Sequence, residues 1–172
     1  LVGGGAIVGN ACDNLAKFVE RFDLPVACSL MGLGAYPKSS PRFLGMVGMH
    51  GTYQANNAMA QSDLIFAIGV RFDDRVTNNV KKFCPNAKVI HIDIDPSAIS
   101  KIIEADLPIV GDANTILGQI LKMADEMGSE GEKAQLQPWW DYITGLKQFN
   151  CLAYKKSEDI CHPAQVIEAI CK

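Results

Sequence analysis

A chain of 172 residues, 48% apolar and 20% charged, is long enough for one substantial core and has the composition of a globular protein. Its net charge of −3, with both signs interspersed, offers no basic field for nucleic acid and no polybasic patch for a membrane surface. Cys12, Cys28, Cys84, Cys151, Cys161 and Cys171 form no C-x-x-C pair and have no histidine at ligand spacing, so neither a zinc site nor a disulfide framework is legible, and a reducing compartment is favoured.

Leu1-Val2-Gly3-Gly4-Gly5 reads as the last two residues of a strand and then its loop, so the chain is expected to be cut from a longer protein, with its first strand truncated. Asn10 or Asp13 starts a helix in which Leu15, Phe18, Val19 and Phe22 recur on one face. Pro25-Val26-Ala27-Cys28 is a short strand, with Cys28 a small buried hydrophobe. Residues 31–51 are rich in turn formers, and a loop of that length in a compact domain usually binds something.

Thr52 caps a predicted helix over residues 53–61. The apolar run 64–68 then has the length and kind of a strand buried on both faces. Gly69 ends that run, and Arg71, Asp73, Asp74 and Arg75 follow, the arginines offering pairing for an anion or for the adjacent carboxylates. Further strands are predicted at 88–94 and 107–110, with a helix over 97–103 between them and a longer helix opened by Gly111-Asp112. Strand and helix thus alternate, the pattern of an α/β, doubly wound (Rossmann-like), mostly parallel sheet with helices on both faces. The polar stretch 127–138 reads as a linker, followed by an amphipathic helix over 139–156 and a last helical segment after His162-Pro163. Val166, Ile167 and Ile170 of that segment need something to pack on, and 127–172 is expected to lead into a further domain.

In an open α/β sheet, ligands bind beyond the carboxyl ends of the strands. The groups expected there are Gly3, Gly4 and Gly5, which let a ligand approach the backbone; Arg71 and Arg75 for phosphate; Asp93 for ribose hydroxyls; and Gly111-Asp112 at a strand-to-helix turn. Asp93 and Asp95 also suit turn and cap chemistry. A G-x-G-x-x-G reading from Gly3 puts Val8 in the last glycine's place, and Cys28-Ser29 stands where the acid of an NAD site belongs, so a standard NAD site is disfavoured. His50, His91 and His162 are dispersed, and His91 lies in a strand. No nucleophile elbow, P-loop or metal motif appears, and no catalytic residue is assigned.

Four segments carry a resemblance: residues 30–37 (LMGLGAYP), 45–52 (GMVGMHGT), 69–76 (GVRFDDRV) and 91–96 (HIDIDP). In order and spacing they closely resemble the central domain of the acetolactate synthase (acetohydroxyacid synthase) large-subunit family. The resemblance implies a sheet of the deoxyhypusine-synthase-like NAD/FAD-binding type and a division into a central FAD-binding domain, 1–126, and a linker, 127–172. It also implies a thiamine-diphosphate and magnesium enzyme that condenses pyruvate with pyruvate or 2-oxobutyrate in branched-chain amino acid synthesis. The catalytic glutamate and the magnesium–diphosphate motif belong to the family's other domains, so this chain alone should be inactive.

The family's flavin contacts, carried over by motif, fall on Gly3, Gly4, Gly5, Ser29, Leu30, Met49, His50, Gly69, Val70, Arg71, Asp73, Arg75, Val76, Asp93, Ile94, Gly111, Asp112 and Ala113. Met49, Asp74 and Arg75 also correspond to positions near the family's substrate channel and herbicide site. Cys28-Ser29 stand where threonines are usual, Asn78 where glycine is usual, and Ala98 leaves one adenine-side contact open. Implied partners are the other domains of the subunit, further copies of it and a regulatory small subunit, in the cytoplasm of a bacterium or an organelle of a eukaryote. Alternatives are another thiamine-diphosphate carboligase, such as glyoxylate carboligase, or a non-catalytic module sensing ADP or NAD.

Overall fold

The computed structural model describes residues 1–128, 136–155 and 159–170. Its elements, in chain order, are α1 (Gly4–Val8), α2 (Cys12–Phe22), β1 (Val26–Cys28), a 3-10 turn (Leu30–Gly32), β2 (Phe43–Met46), α3 (Tyr53–Gln61), β3 (Leu64–Ile68) and α4 (Asp74–Thr77). A second 3-10 turn (Val80–Lys82), β4 (Lys88–Asp93), β5 (Leu107–Val110), α5 (Ala113–Met127), α6 (Gln137–Lys147) and α7 (Pro163–Ile170) follow.

β1 pairs with β2, and β3 with β4 and β4 with β5, all in parallel. Val2 bridges both halves, to Cys28 on one side and Ile68 on the other. The extended segment at Leu1-Val2 therefore lies between β1 and β3, where the winding of the sheet reverses. Hydrogen bonds from Val2 N–H to Ala27 O and from Ile68 N–H to Leu1 O, each 2.9 Å, hold it there.

Alternation along β3 explains the two layers. Ile65 and Ala67 enter one core with Leu44, Ala55, Ala58, Met59 and Val89, under α3 and α6. Phe66 and Ile68 point the other way, into a core built with Leu15, Phe18, Ile92 and Leu117 under α2 and α5. The sheet is doubly wound, as the alternation of elements predicts. Burial of β3 on both faces begins at Ile65, since Leu64 is 50% exposed.

Several expectations are corrected. Residues 31–51 hold a strand, β2, and Gly4-Gly5 are helical. No helix forms over 97–103. Asp93 Oδ1 accepts from Asp95 N–H and Asp95 Oδ1 from Ser97 N–H, so side chains satisfy these amides in turns, and Ser100 at φ +58° breaks the helical path. The helix expected over 139–156 is α6, which starts two residues earlier and ends at Lys147. Of the expected linker, residues 129–135 lie outside the described residues, as does Lys156. α6 packs on the sheet unit: Ile143 is fully buried in its core, and Trp140 Nε1 donates to Asp23 O at 3.0 Å. No helix among the described residues is long and apolar enough to cross a membrane.

Candidate functional site

All the parallel strands end on one edge, and the turns beyond them carry most of the predicted ligand groups. At the reversal point two of those turns touch. A Cβ on Gly3 would lie 2.1 Å from Gly69 O, and one on Gly5 would lie 2.7 Å from Gly69 Cα. Gly5 N–H donates to Gly69 O at 3.0 Å, and Gly69 itself sits at φ +57°. The missing side chains of Gly3 and Gly5 are thus required first by the protein's own backbone, which fixes α1 against the turn after β3. A Cβ on Gly4 would face the Met31 side chain at 3.0 Å.

Beside this edge lies a cavity of about 470 Å³. Its floor comes from the end of β1 and the 3-10 turn: Ser29, whose N–H donates to Val2 O, then Leu30 and Met31. A second wall is the end of β2 and the turn after it, with Met46, Val47, Met49 and His50. The third is α4, with Asp73, Arg75 and Val76. Asp73 caps α4, its Oδ1 accepting from Val76 N–H at 3.1 Å, and Arg75 stands exposed in the first turn of that helix. Among the described residues no ion pair joins Arg71 or Arg75 to any carboxylate, so pairing with Asp73 and Asp74 is not how the arginines are used. Three thioethers and an exposed leucine, with one guanidinium, one imidazole and the carboxylate that caps α4, suit a flat, mostly apolar ring system with polar groups at its edge.

Behind the edge, His91 is fully buried. Its Nε2 donates to Val70 O at 2.8 Å, fixing the turn that presents Arg71, and Phe72 packs edge-on to the ring at 5.1 Å. Burial lowers the imidazole below its usual range, with the Val70 bond and Asp93 opposing. The ring is therefore neutral, a core group rather than a ligand. Asp112 caps α5, accepting from the Thr115 N–H and hydroxyl, and these bonds hold its carboxyl below the usual range. Burial pushes the Cys28 thiol up to about 11, which suits an unreactive hydrophobe.

The structure brings Ser29, Leu30, Met49, His50, Asp73, Arg75 and Val76 into one cavity. Gly3, Gly4, Gly5, Gly69, Val70, Arg71, Asp93, Ile94, Gly111, Asp112 and Ala113 lie outside it, at or just beyond the carboxyl ends of the strands. Met31, Met46 and Val47 line the cavity without having been assigned; the repeated pairing of methionine with glycine in 31–32 and 45–49 is the signal that points to them. A larger cavity of about 550 Å³ lies at the amino ends of the strands, lined by Leu1, Pro25, Leu64 and Trp139 among others, away from these polar groups. No group of three potential metal ligands occurs among the described residues.

Residues 1–120 match the family described as the central domain of thiamine pyrophosphate enzymes. Among curated relatives, an acetolactate synthase large subunit of Haemophilus influenzae is 52% identical over 169 residues, 98% of this chain and 29% of the relative. An acetolactate synthase isozyme 3 large subunit of Escherichia coli K12 is 49% identical over the same shares. An acetolactate synthase large subunit of Corynebacterium glutamicum is 44% identical over 99% of this chain and 27% of its own length. The chain thus spans less than a third of the relatives it matches.

Proposed function

The chain belongs to the thiamine pyrophosphate enzyme central-domain family, and from that membership we propose that it is the FAD-holding central domain of an acetolactate synthase large subunit. The complete subunit would condense two pyruvates to 2-acetolactate, or pyruvate with 2-oxobutyrate, with loss of CO2. Thiamine diphosphate and magnesium would be held by other domains, and this chain would supply no catalytic residue. Residues 1–126 would form the flavin unit, with α6 packed on its core, and 127–172 would lead onward. Regulatory and homo-oligomeric partners would belong to the complete subunit.

The observation that carries the reading is the single cavity uniting Ser29, Leu30, Met49, His50, Asp73, Arg75 and Val76 beside the carboxyl edge of the sheet. The residues fit the group. The methionines and Leu30 offer apolar and thioether contact to a flavin ring, and Arg75, in no ion pair among the described residues, a cation at its rim. Along the edge, Arg71 would meet phosphate, Asp93 the ribose, and the backbone at Gly4 and Gly111 the diphosphate, with Val70, Ile94, Asp112 and Ala113 alongside. The flavin supplies a planar redox-active ring when bound; the chain's own part is to orient it and exclude water.

Titrating the complete subunit with FAD and, separately, with NAD, each followed by quenching of the protein's tryptophan fluorescence, tests the site. Saturable quenching with FAD alone is expected; saturable quenching with NAD alone would favour a sensor or NAD enzyme. Turnover of pyruvate rather than glyoxylate separates this reading from a glyoxylate carboligase.

A further inference from the structure

We propose that Asn56, on α3, is a positioning residue that sets the geometry of the candidate flavin cavity without lining it; the proposal rests on the flavin reading above. Its side-chain amide clamps both backbone polar groups of one residue: Asn56 Oδ1 accepts from Gly48 N–H at 2.8 Å, and Asn56 Nδ2 donates to Gly48 O at 3.0 Å. The polarity of Gly48 fixes which end of the amide faces which group, so only an asparagine-like side chain makes both bonds.

Gly48 in turn abuts the opposite wall. It sits at φ +110°, and a Cβ there would lie 2.1 Å from Arg75 O. The next residue closes the contact, Met49 N–H donating to Arg75 O at 3.0 Å. The turn is tied at its own ends by Gly51 N–H to Gly48 O and Thr52 N–H to Met46 O. Clamping Gly48 on both sides therefore fixes Met49 and His50 on one wall relative to Arg75 on the other. Asn56 itself lies behind that wall, in a separate cavity of about 310 Å³ that shares Val47 and Val76 with the first.

The neighbouring Asn57 provides a control, because its amide bonds, among the described residues, to Tyr53 O within the same helix. In the complete subunit, Asn56→Ala is expected to raise the dissociation constant for FAD about tenfold and to shift the bound flavin's visible spectrum. Asn56→Asp keeps an acceptor for Gly48 N–H but sets its second carboxylate oxygen against Gly48 O, so it should weaken binding at least as much as Asn56→Ala; Asn57→Ala should match the parent. Amide hydrogen exchange supplies an arm that needs no flavin, with Met49 N–H exchanging about tenfold faster in Asn56→Ala. Parent-like affinity, spectrum and exchange in Asn56→Ala overturn the proposal; if that variant does not fold, parent-like behaviour of Asn56→Asp does so. If the parent binds no FAD while the exchange change appears, the flavin reading falls and the clamp stands.

Discussion

The N–H of Met49 donates to the carbonyl oxygen of Arg75 at 3.0 Å, tying the turn after β2 to the first turn of α4. The two residues are far apart in sequence, and this bond makes their side chains walls of one cavity. Much of the account depends on how closely those two backbones approach.

Gly48→Ala tests that approach. The substituent meets Arg75 O at 2.1 Å on a residue at φ +110°, so a loss of at least about 2 kcal/mol is expected in urea unfolding. Gly145→Ala provides the opposite case. It lies inside α6 with nothing within 4 Å of the added methyl, and should gain roughly 0.5–1 kcal/mol.

Arg71→Ala and Arg75→Ala separate binding from folding. Both side chains are exposed and join no ion pair among the described residues, so urea midpoints should barely move. FAD affinity of the complete subunit should fall about tenfold for each, as expected when a charge-assisted bond is lost.

His91 gives stability a dependence on pH. Burial holds its folded-state value below 6.5, so under acid conditions the unfolded chain takes up a proton that the folded chain does not. The stabilisation is complete above 6.5 and is lost as pH falls from there towards the folded value. Urea midpoints at about pH 7.5 and about pH 5.5 should differ in the parent, and by less in His91→Phe. Asp95 and Asp112, both lowered from 3.8, stabilise above that value and lose their contribution only at lower pH, outside this window.

α6 should behave as part of the sheet unit. Ile143→Ala empties a fully buried site and should cost about 2–4 kcal/mol, whereas Ile170→Ala, on a residue 78% exposed, should cost little. Thermal unfolding of the two variants checks this.

The parallel sheet was legible because its strands are short apolar runs with clear ends, and β3 and β5 begin and end where their side chains predict. β2 was not. Phe43-Leu44-Gly45-Met46 sits among turn formers, Gly45 is at φ +104°, and the strand is defined by pairing with β1 across a register shift. The false helix at 97–103 follows from local propensity, which lost to the Asp93 and Asp95 side chains bonding the backbone. In the site, motif order led to Met49 and Arg75. Neither Asn56 nor the internal need for Gly3 and Gly5 could be read from sequence, because each depends on a backbone contact between distant segments.

The most direct test of the central claim is a fluorescence titration of FAD with the complete subunit, repeated with Arg75→Ala. Saturable binding to the parent, no response to NAD, and about tenfold weaker binding by the variant are predicted. No saturable FAD binding by the parent, or equal binding by both proteins, would contradict the assignment of this cavity to the flavin.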